Sequence, residues 1–139
     1  MMNVTMLLCD AATEADGKLY ILGGGWSQVA AADTPLNLAL AIKLGVPWDE
    51  TPGQHSFKLA LMNLDGELVE NPEGDGIQAV GQMDVSRPDT VKQGTDIDVP
   101  IAITFNGLRL PVGGYRWELE INDEPVARIP FTVLAAATT

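Results

Sequence analysis

Tyr115 to Val133 restricts the fold more than any other stretch of this chain. It reads Y-R-W-E-L-E-I, then N-D-E-P, then V-A-R-I-P-F-T-V. Tyr115, Trp117, Leu119 and Ile121 alternate with Arg116, Glu118 and Glu120, the period of a half-buried strand. Asn122 to Pro125 carries turn chemistry, and Ala127, Ile129, Phe131 and Val133 form a second apolar row. The two rows make a hairpin with one oily face. A lone hairpin is not stable in water, so the rest of the chain must cover that face.

The same period recurs upstream. Leu36, Leu38, Leu40, Ile42, Leu44 and Val46 share one side of a strand, with Asn37, Ala39, Ala41, Lys43 and Gly45 on the other. Pro47 ends it, having no N–H to give. Further strands are expected over Asn3–Cys9, Lys18–Leu22, Ser56–Leu64, Glu67–Val69, Ile77–Val85 and Ile97–Phe105, with Ser27–Ala31 resuming the second. Lys18–Leu22 is dense enough to be buried on both faces, and Asp10–Asp16 reads as a connector with room for a helical turn. The expectation is an all-β chain of eight to nine strands with little or no helix. Its fold class is a two-sheet antiparallel β-sandwich, immunoglobulin-like or jelly-roll-like. Gly114-Tyr115-Arg116-Trp117 suits the corner where immunoglobulin-like sandwiches tie a tyrosine hydroxyl to nearby backbone, although the cysteine pair of antibody domains is missing.

A chain of 139 residues fits one domain, residues 1–139. With 46% hydrophobic and 19% charged residues it is no disordered segment. Eight basic residues against 19 acidic ones give a net charge of −11. Nucleic-acid backbones and anionic membranes reward the opposite sign, so neither is an expected partner. A single cysteine forbids an intrachain disulfide, and no signal-peptide or membrane-span pattern is present. The expected setting is the cytoplasm.

The residues offer little catalytic chemistry. His55 is the lone histidine and Cys9 the lone cysteine, so a Cys/His zinc site would need carboxylates for most of its ligands. Cys9 sits in an apolar run and reads as a small core residue rather than a nucleophile paired with His55. Gly23, Gly24 and Gly25 precede Trp26 without the lysine of a phosphate-binding loop, and read as a bulge or a close backbone approach. Glu73 with Asp75, and Asp96 with Asp98, lack the dense spacing of a calcium loop. No metal and no cofactor is expected. Trp117 has the inward phase of a core residue, whereas Trp26 and Trp48 flank loops as either core plugs or binding anchors.

The segments D-G-K-L-Y-I-L-G-G-G-W (Asp16 to Trp26) and V-P-W (Val46 to Trp48), with His55, Leu59, Leu61, Asp65 and Gly66, carry a likeness to known sequences. Together they resemble a family of small uncharacterised actinobacterial proteins, a domain of unknown function. The resemblance implies a bacterial cytosolic β-domain and no activity.

The first expectation for function is a non-enzymatic sandwich acting by protein–protein contact, including self-association. Its face would be the weakly charged one bearing Ala39 and Ala41 beside Ala60 and Met62, if those two strands pair. The competing expectation for that face is that the Asp10–Asp16 connector or another loop covers it. The alternative function is a small-ligand-binding domain or minor enzyme using loops near Trp26, Trp48, Asp49 and His55, which requires those loops to share one end. A shell component is a third reading, from β architecture alone.

Overall fold

The computed structural model describes residues 2–136. Nine strands occur among them: β1 (Asn3–Ala15), β2 (Lys18–Gly24), β3 (Gln28–Ala30), β4 (Leu36–Val46), β5 (Gly53–Asn63), β6 (Gln78–Val85), β7 (Ile97–Leu108), β8 (Gly113–Ile121) and β9 (Glu124–Leu134). The helical content among the described residues is one 3-10 turn, Trp48–Glu50. The strands form a four-stranded sheet ordered β2-β1-β4-β7 and a five-stranded sheet ordered β3-β9-β8-β5-β6. The set β9-β8-β5-β6 faces β4-β7, the strand order that G-F-C-C′ and B-E have in an immunoglobulin sandwich.

The alternation decides which side chains meet between the sheets. Leu38, Leu40, Ile42, Leu44 and Val46 of β4 pack in one cluster with Leu59 and Leu61 of β5, Trp117, Leu119 and Ile121 of β8, and Phe131 and Val133 of β9. Trp117 is fully buried, with Phe105 at 4.6 Å and Phe131 at 6.5 Å between ring centroids. The Tyr115 hydroxyl donates to the Pro111 carbonyl oxygen at 2.8 Å, which ties down the corner leading into β8. Two-residue turns with left-handed backbone close both tight hairpins: Asp16 (φ 52°) and Gly17 (φ 75°) between β1 and β2, Asn122 (φ 52°) and Asp123 (φ 66°) between β8 and β9. Turns of this hand match the strand twist, and aspartate, asparagine and glycine tolerate them.

Three expectations need correction. Asp10–Ala15 is no connector: β1 runs through it and pairs with β2 from Ala15–Lys18 to Ala11–Leu22 and again at Cys9–Gly24. Lys18–Leu22 is not buried on both faces; it is a sheet edge, exposed at every residue of β2 except Leu19. The antiparallel two-sheet sandwich expected from the sequence is what forms, with the three-residue β3 running parallel to β9 at one edge. After β2 the chain crosses from one sheet to the other, and that crossing fixes the direction in which β3 arrives. Glu67–Val69 forms no strand of its own, only isolated bridges at Met62–Leu68 and Glu70–Gly76.

Gly23 (φ 60°) and Gly25 (φ 89°) take the left-handed backbone that glycine accepts cheaply, and Gly25 N–H donates to the Leu8 carbonyl oxygen at 2.8 Å. A Cβ on Gly23 would collide with the Asp10 carboxylate. The glycine run is therefore a structural device that bends the hairpin and releases the chain to the second sheet.

Candidate functional site

Trp48, Asp49 and His55 lie near one another at the end of the sandwich where β4 runs into β5. The 3-10 turn carries Trp48 and Asp49, and the start of β5 carries His55. The Arg87 guanidinium stacks on the Trp48 ring 3.6 Å from its centroid. Its Nη2 donates to the Trp48 carbonyl oxygen at 2.8 Å and its Nε to Thr51 Oγ1 at 3.0 Å. His55 is 6% exposed. Its Nε2 is 3.2 Å from the Glu50 carbonyl oxygen, and its Nδ1 is 2.9 Å from Asn122 Nδ2. A carbonyl only accepts and an amide nitrogen only donates, so the two contacts suit the tautomer that carries its proton on Nε2. The Asn122 amide is oriented by the Ser56 N–H, which donates to Oδ1 at 3.0 Å. Both ring nitrogens are thus occupied in joining the β4–β5 loop to the β8–β9 turn.

Trp26 does not join this group. It stands at the opposite end, edge-on to Phe131 at 6.2 Å, where it packs against the core. The loop cluster of four residues is therefore split, with three residues at one end and one at the other. Beside the three, Met2, Ile121 and Val126 floor a shallow open hollow of about 490 Å³, edged by Asp49, Glu50 and Glu124. Cys9 and His55 belong to different sheets and make no pair. Among the described residues no three histidine, cysteine, aspartate or glutamate side chains converge as metal ligands would.

The face expected to carry self-association is also divided. Strands β4 and β5 are in different sheets, so Ala39 and Ala41 share no surface with Ala60 and Met62. On the five-stranded sheet, Ala60 stands opposite Glu118, Met62 opposite Arg116 and Lys58 opposite Glu120. Glu118 stands opposite Arg128 in turn, and Arg116 pairs with Glu118. That is a charged, solvated face in which the small Ala60 sinks between longer neighbours.

On the four-stranded sheet, Ala39 and Ala41 are 0% and 3% exposed together with Cys9 at 0%, and Leu7, Ala12 and Leu19 pack onto them. Strict alternation from Cys9 would send Ala12 to the other face. The bend at Asp10 and Gly23 breaks that alternation and turns the far half of the hairpin over the sheet. Both β1 and β2 accordingly approach β7, although β4 separates β1 from β7 within the sheet. The expected second copy is displaced by the chain's own residues.

The hairpin makes a new apolar surface in covering the old one. Tyr20, Ile21 and Leu22 are 53%, 39% and 72% exposed, the one consecutive run of large exposed apolar side chains among the described residues. Ala11, Ala12 and Thr13 of β1 line the shallow hollow beside them. In a two-residue hairpin the residues flanking the turn form a hydrogen-bonded pair, and bonded and non-bonded pairs then alternate. Lys18, Tyr20 and Leu22 therefore spend their backbone groups on β1, while Leu19 and Ile21 turn theirs toward the open edge. The signal for this hairpin was present in the sequence: Asp16-Gly17 stands between C-D-A-A-T-E-A and K-L-Y-I-L-G-G, two arms of equal length. The polar Asp10, Thr13 and Glu14 disguise the first arm as a loop.

Cys9 lies beneath the hairpin, its Sγ donating to the Ala39 carbonyl oxygen at 3.3 Å. Burial, and secondarily the Asp10 carboxylate, push its thiol above the ordinary range. The thiolate is disfavoured, and with it nucleophilic chemistry.

Fold and surface together define a class: a two-sheet β-sandwich whose chief apolar exposure is an edge hairpin. The chain belongs to a family of unknown function, DUF6941, whose family model matches residues 4–134. No curated protein matches it. Among the described residues no helix is long and apolar enough to cross a membrane.

Proposed function

We propose that this protein is a non-enzymatic interaction module that works by protein–protein contact, self-association included, through the edge of the β1–β2 hairpin. The observation that carries this reading is the consecutive exposure of Tyr20, Ile21 and Leu22 on a strand that has no outer neighbour among the described residues. Proteins usually blunt such an edge with proline, an inward charge or a covering loop. Here Lys18 at one end and the Gly23 bend at the other leave Leu19 to Leu22 undefended. The low charge of the strand also suits the centre of an interface. The bacterial cytosol is the setting we propose, on the strength of the lone buried thiol and the sequence likeness.

Sedimentation velocity over a concentration series tests this. The wild type is expected to associate in the micromolar range, and Leu22→Glu to remain monomeric while folded. Wild type that stays monomeric throughout, or Leu22→Glu that associates equally well, would contradict self-association at this edge.

A further inference from the structure

Resting on that reading, we infer that the occupant of the β2 edge is β2 of a second copy, paired antiparallel about Ile21, so that two four-stranded sheets join across a two-fold axis. Three observations select this occupant. The first is the pairing geometry. Ile21 directs its N–H and C=O outward, so a two-fold axis at Ile21 lets the two residues exchange both hydrogen bonds, the arrangement of a bonded antiparallel pair. The same axis sets Tyr20 against Leu22 of the other copy, twice. It also brings Leu19 toward Gly23, where the left-handed backbone ends the regular ladder.

The second observation is charge. Two chains of net charge −11 repel over most of their surfaces. The segment Lys18–Gly24 contains no carboxylate and one cation, so the two-fold contact brings no acidic pair together within the strand. Centred on Ile21, the contact keeps the two Lys18 side chains at opposite ends.

The third is the second coverage requirement. Ala11, Ala12 and Thr13 line the hollow beside Tyr20, Ile21 and Leu22, so a strand added at the edge meets an apolar flank as well as a backbone ladder. A seven-residue edge with this flank hides at most about 1,000 Å² in total, the lower bound for a specific interface, which makes the dimer a concentration-dependent one.

The test combines four variants of the full chain, Leu22→Glu among them, each checked by circular dichroism for retained strand content. Ile21→Cys in a Cys9→Ala background places two thiols opposite each other, within reach of a disulfide. It is expected to cross-link into a covalent dimer under mild oxidation at least tenfold faster than Tyr20→Cys in the same background, which has no thiol opposite. Ile21→Pro removes the central donor at an edge position that tolerates proline, and is expected to weaken association tenfold or more. Equal cross-linking at positions 20 and 21, or full association by folded Ile21→Pro, overturns the pairing. If association is still lost in Leu22→Glu under those outcomes, the contact surface stands and only its geometry falls. A monomer in every variant, wild type included, overturns both.

Discussion

Trp117 illustrates what a single residue fixes. Its phase within Tyr115–Ile121 marks it as inward, and it is fully buried against Phe105 and Phe131. Trp117→Ala is expected to cost about 3–5 kcal/mol in urea unfolding. A loss under about 1 kcal/mol would show that the hairpin face is not packed as described. His55 was legible only as a lone histidine; Glu50 lies five residues before it, but Asn122 comes from a turn 67 residues away, and no local pattern announces either contact. Cys9 reads correctly as buried, but what covers it depends on a bend that one glycine makes. Gly23→Ala would strain the left-handed backbone and press on Asp10, at a cost of about 1–3 kcal/mol. The same change should loosen the hairpin and expose Cys9 to a thiol reagent that leaves the wild type untouched. Equal Cys9 labelling rates in the two proteins would mean that the hairpin does not shield the thiol.

At the scale of elements, the rows of β4, β7, β8 and β9 were readable because each sends its large apolar side chains to the core between the sheets and smaller or polar ones to the other face. The β1–β2 hairpin was not, for a physical reason. The polar residues of its first arm read as a loop, the apolar density of its second arm suggests double burial, and periodicity cannot separate a strand between two neighbours from one at an edge. The distinction lies in the partner list, and only the folded chain supplies it. The consequence is sharp for Ala41. As a free face, it would accept Ala41→Glu with the monomer intact. Covered by Leu7, Ala12 and Leu19, that carboxylate is buried without a partner, and the variant is expected to lose about 3 kcal/mol or more of stability. Leu22→Glu, on the open side of the same hairpin, should change stability by less than about 0.5 kcal/mol. Chemical denaturation of the two variants side by side checks the contrast, and equal losses would refute the placement of the hairpin.

For the whole molecule, two linked behaviours follow from charge. Cys9 and Tyr115 both have their pKa raised, chiefly by burial, and secondarily by Asp10 and Asp33 respectively. A raised folded value means that the folded chain holds these protons longer than the unfolded chain does. Their contribution is therefore fully present below the ordinary thiol value of 9.0 and phenol value of 10.0, and is lost as pH rises through the higher folded values. The unfolding midpoint should fall above about pH 9, less steeply in Cys9→Ala at first and in Tyr115→Phe beyond about pH 10. An unchanged slope in both variants would remove these groups as the cause. The proposed self-association, in turn, would bring two strongly acidic bodies together through a nearly uncharged strand. Salt should strengthen it, because shortening the screening length from about 30 Å at 0.01 M to about 10 Å at 0.1 M relieves the repulsion between the copies. Weakening by salt would point instead to a contact held by ion pairs.

The backbone amide of Ile21 tests the open edge most directly. It faces away from β1, whereas those of Tyr20 and Leu22 are bonded to it. Residue-resolved hydrogen exchange at low concentration should find Ile21 exchanging freely and its two neighbours protected. Raising the concentration into the range of association should protect Ile21 while leaving Tyr20 and Leu22 nearly unchanged. An Ile21 amide protected at every dilution would show that the edge is covered within one chain, and one that stays unprotected in the associated protein would show that copies do not meet there.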